Sequence, residues 1–181
     1  MSVTPTGPSG AIPAGLIAVT GGEQSGKTRF VRSLCGEVSP PPSQSLPWAL
    51  AADARWCDLS LPGLDDQTPV QWWDTFKAQS PQWNDALHAD LVSALGLLPH
   101  AEKQLFMLST GSRRKVAVAG LLACGAAVTC LDQPYAALDA ASIQVIREFL
   151  QDMADHPRRT WVVADYEADK RLTWAHIITL D

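Results

Sequence analysis

Eight consecutive residues carry the clearest chemistry in this 181-residue chain: Gly21, Gly22, Glu23, Gln24, Ser25, Gly26, Lys27 and Thr28, in the spacing G-x-x-x-x-G-K-[ST]. Such a loop lets successive backbone N–H groups curl around a polyphosphate, with Lys27 neutralising the outer oxygens and the Thr28 hydroxyl placed to ligand Mg²⁺. The same string arises in ordinary glycine-rich turns, so its neighbours decide. An apolar run, Leu16 to Val19, precedes it and a helical pattern begins at Lys27, giving the order strand, loop, helix that a phosphate site needs. A second position is Asp132, which follows the apolar run Val128 to Leu131. There a carboxylate can reach a metal beside Thr28, or it can simply turn the chain before Pro134. A third is Ser109, followed by Thr110 and Gly111: its hydroxyl can cap a helix and, with the open N–H groups there, form an anion site.

Those groups need a scaffold, and the hydrophobic periodicity supplies one. The helix from Lys27 carries Phe30, Val31 and Leu34 on one side and ends at Gly36, a residue suited to the left-handed position after a helix. Trp48 to Ala54 predicts a short strand. Thr68 followed by Pro69 predicts a capped helix start, with Val70, Trp73 and Phe76 at helical spacing. Asn84 predicts a second cap, for a helix bearing Leu87, Leu91, Val92 and Leu95 that Gly96 stops. Trp72, Trp73 and Trp83 make this middle region either core or a partner surface, and core is the commoner fate of aromatics at helical spacing.

Gly111 to Cys124 predicts a helix, Val128 to Leu131 a buried strand, and the residues after Asp139 a helix with Ile143, Ile146, Phe149, Leu150 and Met153 inward. Trp161 to Ala164 and Ile177 to Leu180 predict two more strands. Strands alternating with helices define an α/β class: a mostly parallel sheet flanked by helices, with ligands beyond the carboxyl ends of its strands. Residues 1–14 are expected to be a flexible leader and 15–181 one domain, with a small helical subdomain at about 68–110 and a connector at Pro40 to Pro47.

Composition removes several classes. A net charge of -5 argues against a broad nucleic-acid footprint, and the local cluster Arg113, Arg114, Lys115 reads first as the solvated side of a helix. Cys35, Cys57, Cys124 and Cys130 form no C-x-x-C pair, and His88, His100, His156 and His176 no H-x-x-x-H pair, so a disulfide framework or a zinc site is not expected. The uncharged run Val116 to Leu131 is 16 residues long, below the roughly 20 of a membrane span. A protein that is soluble by itself is expected.

Four segments in order, GGEQSGKT from Gly21, LSTGSRRK from Leu108, VTCLDQP from Val128 and AALD from Ala136, resemble the ATP-binding subunit of ABC transporters, a P-loop NTPase family, over about Leu16 to Asp181. The resemblance implies ATP and Mg²⁺ as ligands, with Gly21 to Thr28 on the nucleotide and Thr28 and Asp132 on the metal. By the same resemblance, Ser109, Thr110 and Gly111 form the signature that faces ATP held by a second cassette, and Asp139 belongs to the D-loop. A head-to-tail homo- or heterodimer is implied, cytoplasmic and docked peripherally on a transmembrane subunit, with no nucleic acid.

The chain departs from that pattern in the residues that would act on water. Gln133 stands where the family carries a glutamate. A neutral amide cannot accept a proton but can orient a water, which predicts slow hydrolysis. The family's switch histidine is replaced by Asp165 or Tyr166: the phenol could donate to a γ-phosphate, and Asp165 could serve as a base or merely end its strand. No aromatic precedes Phe30, so the usual adenine-stacking residue is missing, and the short leader leaves little room for the family's N-terminal antiparallel β part, which is expected to be reduced. The Q-loop position falls on Asp58 or Leu59. An ABC-type ATPase subunit is the expected activity, with a non-catalytic ATP-dependent clamp or regulatory subunit, paired with a complete cassette, as the alternative.

Overall fold

Three runs in this sequence, Gly15–Thr20, Val128–Asp132 and Thr160–Asp165, are apolar along almost their whole length, and each becomes a strand buried on both faces. Continuous burial of that kind is what parallel sheets with helices on either side demand. The computed structural model describes residues 10–40, 48, 52–61 and 63–180. In chain order these form β1 (Gly15–Thr20), α1 (Lys27–Leu34), β2 (Ala54–Arg55), α2 (Pro69–Ala78), α3 (Asp85–Ala94), α4 (Thr110–Ala123), β3 (Val128–Asp132), α5 (Ala140–Met153), β4 (Thr160–Asp165) and β5 (His176–Thr179). The strands lie in the order β2-β3-β4-β1-β5, and all four pairings are parallel. No antiparallel pair occurs among the described residues.

Alternation along each strand divides the core in two. Leu16, Leu131, Trp161 and Val163 point to one face, where they pack with residues of α2 to α5. Ile17, Val19, Cys130, Val162 and Ala164 point to the other, against Phe30, Val31 and Leu34 of α1. Register then fixes where chemistry can gather: Thr20 pairs with Asp165 and Asp132 with Ala164, so the loop after β1, the carboxylate ending β3 and the turn after β4 leave the sheet at one edge.

The middle helices follow their local signals closely. Thr68 and Gln71 form a reciprocal capping box, Thr68 Oγ1 accepting from Gln71 N and Gln71 Oε1 from Thr68 N. Asn84 Oδ1 accepts from Leu87 N at 3.0 Å to start α3, and Gly96, at φ 67, ends that stretch in a left-handed turn. Trp72 and Trp73 are core residues, which decides between their two readings. Trp73 Nε1 donates to Val116 O at 3.0 Å, and a Cβ on Gly120 would stand 2.8 Å from the Trp72 ring, so α2 and α4 touch without spacing.

Some boundaries differ from expectation. The strand read at Trp48 to Ala54 is a two-residue strand, Ala54–Arg55; positions 49–51 lie outside the described residues, as do 41–47 of the connector and 1–9 of the leader. Of the leader's remainder, Ile12 packs on the core and Pro13 O accepts from Thr160 Oγ1 at 2.8 Å. The last strand is His176–Thr179 rather than Ile177 to Leu180, and it is an edge strand that pairs only with β1, with Ile177 57% exposed.

Candidate functional site

Gly26 adopts a left-handed conformation, φ 91, and no side chain caps α1, so the first-turn N–H groups stay open toward the loop. Gln24 is left-handed too, at φ 61. This alternation curls the backbone into a concave nest of donors. Lys27, only 6% exposed, folds back over the loop, its Nζ donating to Gly21 O at 2.7 Å and Gly22 O at 2.5 Å. Its ammonium also lies 4.8 Å from the centre of the Tyr166 ring, whose hydroxyl donates weakly to Glu23 Oε1 at 3.5 Å. A cavity of about 480 Å³ opens there, walled by Glu23, Gln24, Gly26 to Arg29, Gln133 and Tyr166.

Thr28 Oγ1 donates to Asp132 Oδ2 at 2.5 Å, so the hydroxyl of the loop and the carboxylate ending β3 meet directly. Burial pushes the Asp132 carboxyl above the usual carboxylate range, opposed by the Thr28 hydrogen bond and by the Arg114 and Lys27 charges. Two hard oxygen donors side by side, one of them an anion kept partly out of water, fit a small divalent cation. Asp58 and Leu59 line a neighbouring cavity of about 470 Å³ that shares Thr28, Asp132 and Gln133 with this site. Asp58 Oδ1 meanwhile accepts from Ser60 N and Ser60 Oγ.

Tyr166, not Asp165, lines the phosphate cavity. Asp165 ends β4 and turns its carboxylate onto the Tyr166 N–H at 2.8 Å, while burial raises its pKa. Gln133 does face the cavity, from a backbone at φ 46. For a residue with a β-carbon that conformation costs about 1–2 kcal/mol, and it persists only where surrounding bonds impose it.

Ser109, Thr110 and Gly111 sit elsewhere. Ser109 caps α4, Ser112 N donating to its Oγ at 3.1 Å, and Thr110 is the first helical residue. Neither they nor Gly111 wall the phosphate cavity of their own chain. Gly111 instead packs on the loop before α5: a Cβ there would stand 2.3 Å from Ala137 O. Asp139 caps α5 through Ser142 N at 2.8 Å and pairs with Lys115 Nζ at 2.6 Å. The Lys115 bond and the two Ser142 bonds hold its carboxyl well below the usual range.

The basic cluster is not the solvated helix side read from sequence. Arg113 donates to Leu105 O, Leu59 O and Asp65 Oδ1, Arg114 Nη1 donates to Asp132 O and Gln133 O, and Lys115 pairs with Asp139. A signal was present: three cations in the first turns of a helix oppose its dipole, and a local rule broken three times running points to tertiary partners.

A left-handed phosphate loop between β1 and α1, with a lysine folded across it and an acid at the end of the neighbouring strand, defines a P-loop nucleotide-binding protein. Over 153 residues the chain is 30% identical to the cytochrome c biogenesis ATP-binding export protein CcmA of Nitrosospira multiformis, covering 78% of this chain and 74% of that one. The chain belongs to the ATP-binding subunits of ABC transporters. No protein-family model matches it. Among solved structures it is similar in fold to an ABC transporter ATP-binding protein from Pyrococcus furiosus, described as putative, with TM-score 0.69 and 16% identity over 92% of this chain and 84% of that one. It is also similar to an RNase-L inhibitor chain, with TM-score 0.62 and 21% identity, covering 84% of this chain but 29% of that longer one.

Proposed function

We propose that the chain binds Mg-ATP through Gly21 to Thr28 and Asp132, pairs head to tail with a second cassette and hydrolyses ATP slowly to drive a membrane transporter. The observation that carries this reading is the meeting of Thr28 Oγ1 with Asp132 Oδ2 at the mouth of a loop closed by Lys27. Thr28 and Asp132 would hold Mg²⁺, which when bound supplies charge neutralisation at the phosphate oxygens. Lys27 exchanges its two loop carbonyls for phosphate oxygens, and the open N–H groups of α1 take the rest. Gln133 orients the attacking water without accepting its proton, which makes turnover slow. Tyr166 contributes its hydroxyl at the cavity wall.

Pairing is supported by the position of Ser109 to Gly111, which reach no phosphate cavity in their own chain. The Nitrosospira multiformis relative is named for export in cytochrome c biogenesis, and an export complex with a transmembrane partner is the context we assign, the chain sitting on the cytoplasmic face. No described helix is long and apolar enough to cross a membrane itself.

The neutral Gln133 favours one second reading, an ATP-dependent clamp that does not turn over. Steady-state phosphate release with Mg-ATP, run beside Lys27→Ala and Gln133→Glu, separates the two. Release in the parent that disappears in Lys27→Ala establishes the ATPase. A silent parent whose Gln133→Glu variant becomes active establishes the clamp.

A further inference from the structure

We propose that Arg114 is a positioning residue that holds Gln133 in its left-handed conformation, and so aims the amide that orients water; this rests on the function proposed above. Arg114 lies on α4, close behind the signature cap Ser109, yet its guanidinium crosses to the end of β3. There Nη1 donates to Gln133 O at 2.5 Å and more loosely to Asp132 O at 3.4 Å. Gln133 is fastened on its other sides as well: its N–H donates to Ala164 O at 2.8 Å, and its carbonyl accepts from Ala136 N at 3.1 Å. With φ at 46, the peptide after Gln133 would relax toward a right-handed turn if nothing fixed its carbonyl. Of these ties, only the one from Arg114 comes from a side chain and from another helix. The others belong to the strand ladder and to the turn itself.

The chemistry suits the task. A guanidinium is planar, permanently charged and able to donate to two carbonyls at once, which a lysine ammonium does with less directional control. Arg114 Nη1 thus reaches the carbonyls of two consecutive residues, Asp132 and Gln133, at the turn. Its Nε is buried without a hydrogen-bond partner among the described residues, which fits a side chain placed for what its tip does. Because Arg114 and Ser109 share the start of α4, the tie also links the signature segment to the turn that carries Gln133.

The test is calorimetric titration of the full chain with two probes: Mg-ATP, and Mg-ADP with aluminium fluoride, which mimics the transferring phosphoryl group with its in-line water. Neither readout needs turnover. Arg114→Met should leave Mg-ATP affinity nearly unchanged, which also shows that the variant is folded, and should weaken the aluminium fluoride complex by about 10- to 100-fold. Arg114→Lys should recover part of that loss. In a Gln133→Ala background, Arg114→Met should cause no further loss, because an effect exerted through Gln133 cannot be exerted twice. Equal weakening of both probes, or an additive loss in the Gln133→Ala background, would mean a merely structural arginine and overturns the proposal. A silent Arg114→Met in a parent that binds both probes also overturns it, while leaving the function reading intact. A parent that fails to bind Mg-ATP sinks that reading, and this proposal with it.

Discussion

The carboxyl edge of the sheet and the block formed by α2, α3 and α4 are built on opposite rules. In the helical block nearly every local preference is met: a reciprocal capping box opens α2, Asn84 caps α3, Gly96 closes it, and Trp72 and Trp73 are buried against α4. At the sheet edge the preferences are broken together. α1 has no cap, Gln24, Gln133 and Ala137 have left-handed backbones, a lysine is 6% exposed, and a carboxylate is held above its usual pKa. Agreement across levels makes a fold stable, and its local violation is what a site requires. The helical block therefore supplies rigidity, and the edge spends it on chemistry.

If that division is real, substitutions in the two regions should separate stability from binding. The largest effect is expected from Trp72→Ala, which empties the contact between α2 and α4 and should cost about 3–5 kcal/mol in denaturant unfolding. Mg-ATP affinity of the fraction still folded should be unchanged; a matching loss of affinity would break the comparison. Asp132→Asn should do the reverse. Removing a half-buried carboxylate whose pKa is raised by burial should lift the melting temperature by about 2 °C, while the Mg²⁺ dependence of ATP affinity falls away. A lower melting temperature would show that the carboxylate is not under strain in the free protein.

The smallest effect concerns His88. It lies between Trp73 and Trp83, at ring distances of 4.6 and 4.8 Å, and burial lowers its pKa, helped by Lys77 and opposed by Asp85 and Asp74. The unfolded chain therefore takes up a proton first. Stability present above the ordinary histidine pKa should decline as pH falls through it toward the lower folded value, a slope that His88→Gln should reduce. An unchanged slope in unfolding measured between pH 7 and 5 would remove His88 from the account.

Legibility in the sequence followed the same division. Thr68, Pro69, Asn84 and Gly96 mark helix ends by interactions that close within four residues, so they could be read without a structure. The buried strands were equally plain, because parallel strands carry no polar alternation. The phosphate loop and Asp132 could be placed because both follow such strands. What could not be read was whatever depends on distant approach. Arg113, Arg114 and Lys115 looked like solvent-facing charges until the chain brought Asp65, Gln133 and Asp139 to them. Whether Asp165 or Tyr166 lines the cavity depended on one residue of strand length, and the apolar composition of β5 carried no mark of its place at the sheet edge.

Gly111 has a mechanical side. The space a β-carbon would need is already filled by Ala137 O, at 2.3 Å, and one helical turn later Lys115 is bolted to Asp139. At Gly111 the two backbones are in direct contact, while the Lys115–Asp139 pair beside it lies at the surface. The start of α4 and the loop ahead of α5 are thus joined twice, once by backbone contact and once by charge. Any residue larger than glycine at 111 would have to push Ala137 O, and with it the loop ahead of α5, out of its place.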